Sequence, residues 1–154
     1  MNKQKNHRII SCIFFTVYLC VLVYFLFFAE NMGRIAVSRD YRYNLVPFRE
    51  IYRFIKYREI IGIKGVLLNL VGNVAAFIPF GLFIIPVFGY RIKVYEAVLL
   101  IFDVSLFVEI VQLVTRVGSM DVDDILLNTI GGTAGVLMYF GYKAIERKRY
   151  CSET

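Results

Sequence analysis

The sequence predicts an all-α integral membrane bundle of four transmembrane helices, with an amphipathic interfacial helix in its first loop, built as one domain over residues 1–154. Composition is the first reason. Of the 154 residues 58% are apolar, 16% aromatic and only 19% charged, against roughly half apolar and a quarter charged in soluble domains. Patterning is the second: the apolar residues fall in four runs, each close to the roughly 20 residues a helix needs to cross the hydrocarbon core. The third is that polar residues inside and beside those runs recur at helical spacing. Together these exclude a secreted disulfide scaffold, a disordered tail and an ordinary cytosolic enzyme.

The first run, residues 9–28, carries no charge and follows Lys3, Lys5 and Arg8. It exceeds the roughly 7–15 residues of a signal-peptide core, and Phe27 stands where a cut after Ala29 needs a small residue, so a retained helix is expected. The second, residues 66–88, is uncharged but holds Asn69, Asn73, Pro79 and Pro86. Pro79 removes an intrahelical hydrogen bond and predicts a kink. The third, residues 97–114, contains Asp103, Ser105, Glu109 and Gln112; the fourth, residues 125–142, contains Asn128 and several glycines. Gly131 and Gly135 form a small-xxx-small pair that lets another backbone approach closely. Cys12 and Cys20 lie eight residues apart in one run and Cys151 lies in the basic tail, so neither a disulfide nor a zinc site is expected. His7 is the only histidine, which argues against histidine-dependent chemistry.

Net charge is +6, from 18 Lys and Arg against 12 Asp and Glu. The positives cluster beside the apolar runs, and no soluble module is large enough to carry a nucleic-acid groove. Membrane lipids with anionic headgroups are the expected partners, and nucleic acid is not. The basic residues divide evenly, nine to each side of the membrane. Two details favour both termini in the cytoplasm: the short loop around Arg91 and Lys93 is purely basic, and the loop between the last two spans holds three aspartates and one arginine. Short loops and the first helix weigh most in orienting a chain.

Residues 44–62 are not a plain linker. Phe48, Ile51, Tyr52 and Ile55 recur at helical spacing, with Arg49, Glu50, Arg53, Lys56 and Arg58 between them. Pro47 suits the first turn of a helix, and the pattern fits an amphipathic helix lying in the headgroup layer. Arg49, Arg53 and Lys56 are its candidates for holding an anionic lipid head.

Polar residues in hydrocarbon face the bundle interior and pair with one another. At 100° per residue, Ser105, Glu109, Gln112 and Arg116 share a stripe about 60° wide, and Asp103 points away from it. Asp124, Asn128, Gly131, Gly135 and Tyr142 share a face of the fourth span, and Asn69 and Asn73 share one on the second. The connector from Thr115 to Asp124 is short, so the last two spans must be antiparallel neighbours. That places Glu109 with Asp121, Asp123 and Asp124 near one membrane face, with Arg116 among them.

Two kinds of role stay open for this cluster. Aspartates begin helices, so Asp121 or Ser119 is a candidate cap for the fourth span, and the buried amides serve as interhelical glue. The functional readings are a hard-cation site on Asp121, Asp123 and Asp124, where Mg²⁺ or another divalent ion would bridge carboxylates to a substrate phosphate, or proton transfer at Glu109. Glu109, Asp123 and Asp124 are the catalytic candidates. The wider polar site is Glu109, Gln112, Arg116, Asp121, Asp123, Asp124 and Asn128, supported by Asn69 and Asn73.

Four segments in order, NLVPF at 44–48, NLVGNVAAFIPFG at 69–81, EIVQ at 109–112 with Arg116 beyond it, and DVDDILLNTIGG at 121–132, resemble the VanZ-like family of small bacterial membrane proteins. The resemblance covers most of the chain. It implies a multi-pass protein of the bacterial cell membrane, and its namesake links the family to resistance toward glycopeptide antibiotics such as teicoplanin. The expected function is that of a VanZ-like envelope protein with a carboxylate-rich site near the outer leaflet, acting beside a lipid-linked cell-wall precursor. The alternatives are a divalent-cation-dependent enzyme acting on a lipid-linked phosphate and a structural membrane partner subunit.

Overall fold

A computed structural model of the chain describes residues 3–27, 41–88 and 92–152, with side chains over 8–27, 41–88 and 92–149. Phe28, Arg91 and the side chains of Lys3, Lys5, His7 and Cys151 lie outside the described residues. In chain order the elements are α1 (Lys3–Phe27), β1 (Tyr43–Asn44), α2 (Arg49–Lys56), α3 (Arg58–Ile61), α4 (Ile63–Phe88), α5 (Val94–Thr115), β2 (Met120–Asp121) and α6 (Val122–Ser152). Among the described residues four helices are long and apolar enough to cross a membrane: Arg8–Phe27, Ile63–Phe88, Val94–Thr115 and Val122–Arg149.

The helices outrun the apolar stretches for local reasons. α5 starts at Val94 rather than 97 because Glu96 reaches back to accept the Lys93 N–H at 2.8 Å, a capping box that ignores hydropathy. α6 starts at Val122 because Asp121 accepts the N–H of Asp123 at 2.9 Å, the geometry of an N-cap. At its far end α6 carries Lys143, Glu146, Arg147, Lys148 and Arg149 beyond the apolar run, with Lys143 and Glu146 paired at 2.7 Å. Its 31 residues span about 46 Å at 1.5 Å per residue, well over the roughly 30 Å core.

The tightest contact in the bundle is between α4 and α6, and glycine makes it. A Cβ on Gly81 would collide with the Gly132 carbonyl, one on Gly131 with the Val74 carbonyl and one on Gly135 with the Ile78 carbonyl. Backbone therefore lies on backbone, the close approach that small residues permit between membrane helices. Ile101 of α5 packs over Gly132. The apolar core gathers around this seam: Phe77, Phe80, Ile84 and Ile85 of α4, Ala97 and Ile101 of α5, and Val136 of α6. From the other side α1 adds Phe15, whose ring centroid lies 5.3 Å from that of Phe80, and Leu22. The Tyr18 hydroxyl donates to the Ala76 carbonyl at 2.6 Å, just before Pro79.

The interfacial segment departs from expectation at its start and its middle. Pro47 is not in the first turn: the helix begins at Arg49, with Phe48 in the left-handed region (φ 64°) as its N-cap. Tyr57 then breaks the segment into two pieces, and Gly62 (φ 80°) closes the second. Glycine suits that left-handed position because it carries no Cβ.

Candidate functional site

Non-helical backbone near a membrane must find acceptors for its N–H groups within the protein, and that requirement builds the site. β1 and β2 pair in parallel, Tyr43 opposite Met120 and Asn44 opposite Asp121, so the first loop is stitched to the α5–α6 connector. The Met120 N–H also donates to the Arg42 carbonyl at 3.1 Å.

Around this stitch four side chains take up six backbone N–H groups. Glu109 Oε2 accepts the N–H of Asp121 at 2.8 Å, and Asp121 Oδ1 accepts that of Asp123 at 2.9 Å. Asn44 Oδ1 accepts the N–H of Val46 at 3.2 Å, an Asx turn, while its Nδ2 donates to Asp121 Oδ1 at 3.1 Å. Asp123 takes three: Oδ1 accepts from Phe48 at 2.5 Å, and Oδ2 accepts from Glu50 at 2.8 Å and Ile51 at 3.2 Å. The carboxylate that opens α6 thus caps the N-terminus of α2, where the free N–H groups and the helix dipole both favour an anion. Left-handed Phe48 costs about 1–2 kcal/mol, and Asp123 offsets it by accepting its N–H.

Burial is nearly complete across this network: Asp123 is 1% exposed, Glu109 3% and Asp121 7%. Burial pushes the Asp121 carboxyl above its ordinary value; the Asp123 amide and the Asn44 side chain pull it back, and the carboxylates of Asp123 and Glu50 push it further up. Deeper in the bundle, Asn128 Nδ2 donates to Ser105 Oγ at 3.0 Å, and Asn128 Oδ1 has no hydrogen-bond donor among the described residues. Asn73 Nδ2 donates to Asp124 Oδ1, and Gln112 Nε2 donates to the Leu26 carbonyl at 3.0 Å, fastening α5 to the end of α1.

Two residues of the expected cluster stand elsewhere. Arg116 is exposed and lies over the Tyr41 ring at 4.4 Å. Helical spacing of 100° per residue predicts it on the Glu109 stripe, but α5 ends at Thr115 and Arg116 turns left-handed (φ 57°), which breaks that progression. Asn69 is exposed and donates to the Gly65 carbonyl of its own helix at 2.8 Å, a turn or more from Asn73 and its partner Asp124. The three aspartates proposed for a metal face different partners, and among the described residues no group of three His, Cys, Asp or Glu side chains is placed to hold a metal ion. Asn44 also belongs to the network, although it lies outside the polar stripes of the spans; its local signal is an asparagine two residues before Val46 in an Asx turn.

Arg49, Arg53 and Lys56 share the outward face of α2 and are all exposed. Arg53 pairs with Glu50 at 2.5 Å, and the Lys56 ammonium lies 5.7 Å from the centroid of the Tyr52 ring and 5.5 Å from that of Tyr57. Exposed Tyr43, Leu45, Val46, Phe48, Tyr52 and Ile55 surround them, a basic and aromatic surface of the kind that settles into a headgroup layer.

Comparison with known proteins bears on the whole of this arrangement. The Protein VanZ of Enterococcus faecium is 29% identical over 134 residues, covering 86% of this chain and 74% of that protein. No solved structure matches the chain. The VanZ/LLP1 family description matches residues 15–144, from the first span through the last and including every residue of the carboxylate network. The chain belongs to the VanZ/LLP1 family.

Proposed function

We propose that this protein works at the outer face of the bacterial cell membrane, both termini being cytoplasmic, and that α2 is its working surface. In this reading the carboxylate network is positioning machinery. Glu109, Asp121 and Asp123 hold α2 at headgroup level, and Arg49, Arg53 and Lys56 meet the phosphate of an anionic lipid or of a lipid-linked cell-wall precursor. Guanidinium groups and ammonium groups suit phosphate oxygens through charge-assisted hydrogen bonds. The family resemblance gives the biological setting, reduced sensitivity to glycopeptide antibiotics at the envelope.

The observation that carries this reading is the three-amide cap that Asp123 places on α2. A carboxylate with both oxygens engaged by backbone amides supports an anchor better than a ligand to a divalent cation. For that reason a cation-dependent reaction at Asp121, Asp123 and Asp124 is the less supported alternative. A purely structural subunit accounts for the buried network but not for the exposed basic face.

The combined variant Arg49→Ala, Arg53→Ala, Lys56→Ala separates these. It should accumulate in the membrane as the wild type does, lose most binding to liposomes containing anionic lipid relative to neutral ones, and restore teicoplanin sensitivity. Unchanged lipid binding and unchanged sensitivity in that variant would remove the basis for the proposal.

A further inference from the structure

The buried polar stripe of α5 reaches the middle of the membrane at Ser105. This is the twelfth residue of α5, about 17 Å from one end of the helix and about 15 Å from the other at 1.5 Å per residue. Asn128 of α6 meets it there, Nδ2 donating to Ser105 Oγ at 3.0 Å, and the pair is closed off, Ser105 being 0% and Asn128 2% exposed. One turn toward the carboxylate network stand Glu109 on α5 and Asp124 on α6. One turn the other way Ile101 packs over Gly132, and Ala97 and Val136 continue that side as apolar core.

Hydrogen-bond accounting leaves this pair short. At such a depth every donor and acceptor must be met within the protein or by a bound molecule. Asn128 Oδ1 has no donor among the described residues, and the hydroxyl hydrogen of Ser105 has no acceptor among them. Thr16, Thr115 and Thr129 return theirs to the carbonyl one turn back, at 2.9, 2.7 and 2.7 Å; Ser105 makes no such bond. Turning the Asn128 carboxamide over does not cure the shortfall. Oδ1 would then take the serine hydroxyl, and the NH₂ group would lose its acceptor.

We propose that a water molecule is bound between α5 and α6 at the membrane midplane, donating one hydrogen to Asn128 Oδ1 and accepting the hydroxyl hydrogen of Ser105. The partner these groups call for must donate and accept at once and be small, which water does and a lipid chain does not. A bare cation cannot accept from a hydroxyl, and in so dry a place it needs a counter-charge beside it. The carboxylates lie a turn away, where Glu109 takes the Asp121 N–H and Asp124 the Asn73 amide. Bound water ties the two helices through groups that do not reach each other directly. The α5–α6 interface is then hydrated as far as Ser105 and dry from Ile101 onward. This site lies away from α2 and stands independently of the function proposed above.

Water-edited solid-state NMR of the full chain, isotopically labelled in phosphatidylcholine liposomes, tests this by timing the transfer of magnetisation from water protons to named side chains. Asn128 and Ser105 should receive it several-fold faster than Ile101 and Val136. Asn128→Leu fills the position with an apolar side chain, and Ser105 should then lose most of its transfer. Should that variant fail to accumulate, the wild-type contrast between Ser105 and Ile101 decides the matter alone. Repeating the measurement in sodium, potassium and choline chloride should leave the Asn128 chemical shifts unchanged. Wild-type Asn128 and Ser105 as dry as Ile101, a Ser105 that stays wet in Asn128→Leu, or an Asn128 shift that follows the cation would each overturn the proposal.

Discussion

The glycine seam between α4 and α6 and the carboxylate network at the membrane face both involve α6, yet they join it to its neighbours by opposite means. Along the seam, Gly81, Gly131, Gly132 and Gly135 remove side chains so that backbones touch. At the face, Glu109, Asp121 and Asp123 push charged side chains into buried positions. The difference follows from the state of the backbone. Inside α4 and α6 the N–H and C=O groups are already paired along each helix, so nothing polar is needed and close packing alone stabilises the contact. Residues 44–51 and 120–123 are turns, a two-residue ladder and helix starts, whose N–H groups lack intrahelical partners. Acidic side chains supply the acceptors there. The buried acids of this network are spent on backbone N–H groups where regular structure stops.

Three substitutions break or sharpen that contrast. The largest effect is expected at the seam. Gly131→Val places a side chain against the Val74 carbonyl, and because two backbones cannot both retreat the cost should be about 3 kcal/mol or more, at the upper end of overpacking penalties. Loss of folded protein from the membrane fraction, with neighbouring Ile130→Val on the exposed face accumulating normally, is the expected readout.

The second acts at the network and should spare the bundle. Asp123→Ala leaves the N–H groups of Phe48, Glu50 and Ile51 without their acceptor, a local loss of about 3 kcal/mol when each unmet donor is worth about 1 kcal/mol. Hydrogen exchange should speed up over residues 48–56 while the α4 and α6 amides near the glycines stay protected. Asp123→Asn, which keeps one acceptor oxygen, should fall between. Uniform loss of protection in both regions would mean that the two are one cooperative unit and not two.

The smallest is a pH effect at Asp121. Its folded-state pKa lies above the ordinary 3.8 through burial, so its contribution to stability is full below that value and is lost as pH rises through the raised one. Asp121→Asn keeps a capping side chain without the titration. Thermal stability in detergent, measured from about pH 4 to about pH 7, should therefore rise on acidification more in the wild type than in the variant. Parallel curves would show that the buried carboxyl is not under strain.

The interior stripe of α5 was readable in advance because helical periodicity holds wherever the helix does: Ser105, Glu109 and Gln112 are all buried as the angles require. The reading failed at Arg116, one residue past the helix end, where the backbone leaves the progression. Asn69 failed for a different reason. It shares a face with Asn73, but the α6 N-terminus reaches only as far as Asn73, and Asn69 bonds within its own turn. Asp121 as the cap of α6 is a local event two residues long, and the sequence carried it as one of two options. Asp123 as the cap of α2 joins residues 72–75 positions apart, and no spacing rule connects them.

What the sequence determined by itself, then, is whatever depends on transfer from water and on periodicity within one helix: four spans, an amphipathic segment between the first two, and which face of α5 is polar. Each of these is set by the side chains of a continuous stretch, whatever lies across from it. Tertiary structure alone decided which unpaired backbone groups the buried acids would satisfy, that α4 and not α5 lies closest on α6, and that Arg116 stacks on Tyr41 away from Glu109. These outcomes rest on contacts between segments far apart in the chain, where geometry, not composition, chooses the partner.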